Sequence, residues 1–199
     1  MARWKGMALL AAAALAGGAA AADMGAHVVP ETAAVAGKTL RLNGTAIMNV
    51  WWFQLYSVSL YLEAPVAGAA EAISSEQAKE LRITLHHHAS RTQIGAALRD
   101  GMRRAGADLK TLGPRLDRLL AAIPDVKAGD SLHIDYLPGG RTLFSGGGRS
   151  MTIEGKDFAD ALLGIWLGPG PEMARVRRGL VGEPSGPKAR ARSAAPSRP

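Results

Sequence analysis

The chain contains no cysteine. That absence excludes disulfides, thiolate metal ligands, iron–sulfur ligation and cysteine nucleophiles together. Neither G-x-S-x-G nor H-E-x-x-H occurs, so no serine-hydrolase elbow and no zinc-protease helix is nominated. No apolar run reaches the roughly 20 residues that a membrane-spanning helix needs. The nearest, Met7 to Ala16, is too short and is followed by Gly17-Gly18. Asparagine is confined to Asn43 and Asn49, which leaves few amides for an active site. Aromatic residues make up only 5% of the chain, and half of them fall between Trp51 and Tyr61.

What is present is enough for one domain of ordinary size. The chain has 199 residues, 47% of them hydrophobic and 21% charged, within the globular range. The net charge of +7 is concentrated at the two ends, in Arg3, Lys5, Lys188, Arg190, Arg192 and Arg198. Setting these six aside leaves 18 basic residues against 17 acidic ones. A nucleic-acid binder carries its basic residues on a face of the folded domain, so no nucleic-acid partner is expected.

Residues 1–22 read as a secretory signal peptide. Arg3 and Lys5 form the positive start, an Ala/Leu run follows, and Ala20-Ala21-Ala22 gives the small-residue cleavage pattern before Asp23. Cleavage after Ala22 would deliver the chain to the periplasm; retention as an uncleaved anchor is the other reading. Residues 183–199 are rich in Pro, Ser, Ala and Arg without hydrophobic pattern, and read as a disordered basic tail. Such a tail is a solvated end, or a weak contact with anionic headgroups worth about 1 kcal/mol per basic residue near the surface.

Between them, residues 25–182 read as one domain. Residues 24–36 are small and polar and look like a loose lead-in. Lys38 to Leu42 alternates as a strand, and Asn43-Gly44 is a strong turn signal. Ile47 to Leu62 reads as one or two long strands, bent near Gln54, and Glu80 to Leu85 as a short strand. Ser90 with Gln93 forms a capping box for a helix with Ile94, Ala97, Leu98 and Met102 on one face. A second helix covers Leu109 to Ile123 and ends at Pro124. Strands resume from Ser131, with turns at Gly139-Gly140 and Gly146-Gly147-Gly148. Helices then cover Asp157 to Leu167 and Glu172 to Leu180, separated by Gly168-Pro169-Gly170-Pro171. Strands that cluster rather than alternate with helices predict an α+β fold, a large antiparallel sheet covered on one face by helices.

Three features invite a chemical reading. Gly146-Gly147-Gly148 lacks the ending of a phosphate loop and lies between strands, so it reads as a hairpin turn. In His86-His87-His88, residues on a strand alternate faces, so only His86 and His88 could share a metal, with His133 as a further ligand. The favoured reading is a polar strand end, and no metal or cofactor is assigned. The aromatic run Trp51-Trp52-Phe53 with Tyr56 and Tyr61 should bury one face and leave the other for a cavity or a partner.

Four segments taken in order, Leu40–Ile47, Leu55–Glu63, Val126–Thr142 and Asp157–Gly168, resemble the bacterial chalcone isomerase-like family across most of residues 37 to 182. The resemblance implies an open-faced β-sandwich-like α+β fold with a ligand cleft between sheet and helices. Plant members close a hydroxychalcone to a flavanone by intramolecular oxa-Michael addition. An Arg orients the phenolate, while a Tyr, an Asn and Thr hydroxyls hold the ketone. Related proteins of this fold bind fatty acids, with the Arg meeting the carboxylate. In this chain Met48 stands at the Arg position, at the end of Gly44-Thr45-Ala46-Ile47-Met48, and Tyr56 aligns with the Thr. The family Tyr and Asn near the first helix have no counterpart, since no Tyr lies between Tyr61 and Tyr136. Arg41, Arg82, Arg91, Arg99, Arg103 and Arg104 are candidate substitutes by number, with Arg99, Arg103 and Arg104 assigned to the solvated face of the first helix.

Removing one preorganised group that stabilises developing charge costs about 3–4 kcal/mol of barrier, and several are gone. The expected function is therefore non-catalytic binding of a small hydrophobic or amphipathic ligand, fatty-acid-like or aromatic, beside Met48 and Tyr56. The alternatives are an intramolecular lyase of chalcone isomerase type on an enone-like substrate, with Tyr56 or Tyr136 as donor, and an envelope protein–protein interaction module.

Overall fold

Alternation of apolar and polar residues sets the sheet. In the computed structural model, which describes residues 21–24 and 27–182, strands β1 (Ala21–Met24) and β2 (His27–Pro30) form a small ribbon. The main sheet comprises β3 (Thr32–Val35), β4 (Lys38–Val50), β5 (Phe53–Leu62), β6 (Lys79–Leu85), β7 (Ser131–Leu137), β8 (Arg141–Gly146) and β9 (Arg149–Glu154). These seven strands pair antiparallel in sequence order. Helix α1 (Ala69–Ser74) joins β5 to β6, and α2 (Arg91–Arg104) with α3 (Leu109–Ala122) joins β6 to β7. Helices α4 (Lys156–Leu167) and α5 (Ala174–Leu180) follow β9. The α+β expectation holds. Most of the leader and all of the tail lie outside the described residues.

Period-two side chains Leu60, Leu81, Ile134, Phe144 and Ile153 meet Met102, Leu116, Phe158 and Leu162 from the helices in one buried cluster. Each such side chain contributes about 1.5–3 kcal/mol on burial. The opposite face of the sheet carries a smaller cluster around Leu40, Tyr61 and Leu137, roofed by Val29, Ala33 and Val35. The capping box forms as expected: Ser90 Oγ accepts from the Gln93 amide, and Gln93 Oε1 accepts from the Ser90 amide at 2.9 Å. The turns at Gly139-Gly140 and Gly147-Gly148 have left-handed backbones, which glycine adopts without steric cost.

Four expectations are corrected. The described part of residues 24–36 is not a loose lead-in, because β3 pairs with β4 and buries Ala33 and Val35. Asn43-Gly44 is not a turn but an irregularity inside the 13-residue β4. Asn43 Nδ2 donates to the Leu180 carbonyl at 2.8 Å and Asn43 Oδ1 accepts from the Val66 amide at 2.9 Å, so the side chain that would close a turn is used by two distant segments. The chain reverses at Trp51-Trp52 rather than bending near Gln54, since Val50 pairs with Phe53. The histidine run does not continue the strand: β6 ends at Leu85, so alternation of faces does not govern it.

The short helix α1, with no apolar stripe to announce it, ends on a buried cation. Lys79 is 1% exposed, and its Nζ donates to the Ile73 carbonyl at 2.5 Å. Lys156 Nζ reaches the same carbonyl and Asp160, and both ammonium groups sit over the Tyr136 ring. Burial first, and the Lys156 charge second, push Lys79 down to about 8, against the opposing pull of Asp160 and Glu76. An ordinary lysine titrates near 10.4 in the unfolded chain. Between these values the unfolded chain holds the proton and the folded chain does not, so stability rises with pH. Tyr136, pushed up to about 12 by burial and by donation to Glu76, reverses the trend once unfolded tyrosine ionises near pH 10. The unfolding free energy is expected to gain at most about 1.4 kcal/mol per pH unit from this lysine between about pH 8.5 and 10. Denaturant titrations across that range check it: Lys79→Met should lose this rise, and an identical pH profile in that variant would refute the assignment.

Candidate functional site

The helix-covered face of the sheet does not close completely. Between the ends of β4 to β8 and helices α2, α3 and α4 lies a cavity of about 380 Å³, within the range of small-molecule sites. Its wall is mainly aliphatic: Ile83, Leu85, Leu132 and Ile134 come from the sheet, and Ile94, Leu98, Leu119 and Ile165 from the helices. Met48 and Tyr56 both line it. They are cross-strand partners on β4 and β5, and strand parity places both on the face that carries Ala46, Val58 and Leu60. The sequence thus brings its two candidate residues together.

Tyr56 is the polar centre of the cavity. Its Oη accepts from Trp166 Nε1 on α4 at 3.0 Å, and its own proton has no acceptor among the described residues. Burial pushes the phenol above its ordinary range, outweighing the Trp166 hydrogen bond and the Arg104 charge, which pull it down. Tyr56 therefore stays a neutral donor that can give one hydrogen bond to an oxygen inside the cavity. The sequence offered no sign of this partner, since Ile165-Trp166-Leu167 reads as core.

Among the described residues, the one lining residue that carries a permanent charge is Arg104, and no Asp or Glu lines the cavity. Arg104 is exposed, as its placement on the solvated face predicts, and it also borders the cavity. Its side chain, 46% exposed, lies at the rim and is paired with Asp100 and, through Nε at 3.2 Å, with Glu172. The periodicity held the signal: Arg104 follows Ala97 by seven residues, two helical turns along the face that lines the cavity. The other named arginines lie elsewhere. Arg99 pairs with Asp117, Arg103 with Asp100 and Arg82 with Glu80, and neither Arg41 nor Arg91 lines the cavity. Tyr136 is also outside it, donating to Glu76.

The histidines separate. His86 Nε2 and Ser57 Oγ are 3.1 Å apart, while His87 and His88 face the cavity. His133 is held by Glu80 at 2.9 Å, so it cannot complete a set with them. Among the described residues no three His, Cys, Asp or Glu side chains converge.

The sequence profile described as chalcone isomerase-like matches residues 21–182. No curated protein matches the sequence. Among solved structures, the fold is similar to the crystal structure of a fatty-acid binding protein of Arabidopsis thaliana. That likeness has a TM-score of 0.62 at 12% identity and covers 78% of this chain and 91% of that one.

Proposed function

The chain belongs to the chalcone isomerase-like family, and we propose that it is a non-catalytic binding protein for a small amphipathic molecule, fatty-acid-like or aromatic. The observation that carries this is the cavity itself: about 380 Å³ of mainly apolar wall with one partly buried phenol, Tyr56, whose proton is free to bond a ligand, and no carboxylate among the described lining residues. An apolar body fills such a space, and one oxygen of its head accepts from Tyr56. Arg104 at the rim adds a positive charge that suits an acid head, although Asp100 and Glu172 already share it. The fatty-acid binding of the Arabidopsis protein with this fold supports an acyl ligand.

Catalysis of the chalcone isomerase type is disfavoured by the same geometry. That reaction needs a cation against the phenolate, and Met48 is soft and apolar. The partner of Tyr56 is an indole, and neither an Arg nor a His among the described residues bonds to it. We place the protein in a bacterial periplasm, reached through the leader of residues 1–22, on the charge and small-residue pattern of that leader.

Native mass spectrometry of the chain purified from its own cell envelope tests the proposal. Gentle ionisation should show a reproducible added mass that denaturing conditions remove, and its composition identifies the ligand class. A clean unliganded mass in repeated preparations, together with no uptake of a dansyl-labelled fatty acid, would sink it.

A further inference from the structure

The large exposed apolar side chains among the described residues fall in one segment: Val50, Trp51, Trp52, Phe53 and Leu55. Trp51 is 86% exposed and Trp52 76%. Single exposed apolar residues are ordinary on a protein surface, but a contiguous set of this size marks an interaction site. They form the tip of the β4–β5 hairpin, a two-residue turn closed by the Val50–Phe53 pair. Trp51 has a left-handed φ of 55°, a conformation that Gly or Asn adopts at least cost in such turns. Strain of this kind persists where function retains it.

The tip continues into the cavity. The rings of Trp51 and Trp52 are 5.5 Å apart, those of Trp52 and Phe53 5.7 Å, and those of Phe53 and His87 6.1 Å. His87 and Leu55 line the cavity, so an aromatic track runs from the tip to the site. No charged residue lies between Arg41 and Glu63. A wedge with these properties matches the bilayer interface, where indole rings settle at the level of the headgroups. A convex two-residue tip offers far less than the roughly 800 Å² per partner of a stable protein interface. The basic residues of the C-terminal tail, Lys188, Arg190, Arg192 and Arg198, suit an anionic lipid surface.

We propose that the β4–β5 hairpin tip is a bilayer-docking wedge, in which Trp51, Trp52 and Phe53 enter the boundary between headgroups and acyl chains and set the cavity against the lipid surface. Docking depends on the hairpin alone; direct passage of an amphiphile between bilayer and cavity rests on the binding function proposed above.

The test uses the full chain carrying Trp4→Phe, so that Trp51 and Trp52 are the exposed tryptophans while Trp166 stays buried. On adding phosphatidylcholine vesicles, with and without phosphatidylglycerol, the emission should shift to the blue and be quenched by lipids brominated near the headgroup. At salt concentrations that screen the charges, Trp51→Asn/Trp52→Ser should partition onto vesicles about tenfold more weakly or worse, the loss expected from two interfacial rings. Asn accepts the left-handed turn, so the unfolding midpoint should equal or exceed the parent's. Uptake of a dansyl-labelled fatty acid from solution should not change in that variant, which separates failure of docking from failure of ligand binding. No change in emission at saturating lipid would overturn the proposal. So would equal partitioning of parent and variant, which would assign lipid contact to the leader or tail. Self-association that the variant abolishes, without a lipid response, would overturn it in favour of a second copy of the chain.

Discussion

Met48→Trp is expected to weaken uptake of a dansyl-labelled fatty acid by at least about tenfold, equivalent to about 1.4 kcal/mol. Met48 lies on the cavity wall, opposite Tyr56 on the neighbouring strand. A cavity of about 380 Å³ has little volume to yield, and an indole in place of a thioether stands where an acyl or aromatic body must lie. The side chain is only partly buried, so the larger ring extends into open space rather than into packed core, where overpacking costs about 1–3 kcal/mol. Stability should therefore change little, and unfolding curves verify that. Ala97→Trp approaches from the opposite wall, on an exposed position of α2 that also lines the cavity. Fluorescence titration of both variants decides the matter. Loss in both locates the ligand between sheet and helices, whereas parental affinity in both would place binding outside this cavity.

The parts of this site that were legible in the sequence are those governed by local chemistry. Parity along a strand is a local property, so the two sides of β4 and of β5 are each legible, but Met48 meets Tyr56 only through the register shift between Met48 and Asn49. The Ser90–Gln93 cap is likewise a contact between residues three apart. Trp166 was illegible as a polar partner because its hydrogen bond spans 110 residues. Arg104 is exposed as its charge predicts, and its position on the cavity border follows from helical period, seven residues after Ala97. The sequence predicts strand at the hairpin tip because neither Trp51 nor Trp52 is a turn former. A two-residue reversal built from tryptophans contradicts local preference, and it is there that the strongest sign of a surface function lies.

Asn43-Gly44 failed as a turn for the opposite reason. The dipeptide is the right one for a turn, but tertiary contacts claim it, and the consequence is measurable. Gly44→Ala is expected to destabilise the fold by about 3–5 kcal/mol, among the largest effects of a single methyl group. A Cβ at Gly44 would overlap the Gly179 carbonyl oxygen and stand 2.5 Å from the oxygen and 2.7 Å from the carbon of the Leu180 carbonyl. All three are backbone atoms, so no side-chain rotation relieves the clash. The fit is reciprocal: a Cβ at Gly179 would lie 2.7 Å from the Thr45 oxygen and 2.9 Å from Ala46 Cβ. Strand β4 and helix α5 thus touch backbone to backbone, and Asn43 locks the contact through the Leu180 carbonyl. Moving α5 away withdraws Val176, Leu180 and Val181 from the core, each worth about 1.5–3 kcal/mol when fully buried. Relaxation returns part of that sum, which sets the expected range. Urea unfolding of parent and variant reads it directly, and a midpoint unchanged in Gly44→Ala would mean that α5 does not rest on this strand. Because Met173, at the foot of α5, also lines the cavity, the same variant should lose affinity for the dansyl-labelled fatty acid even at temperatures where it remains folded.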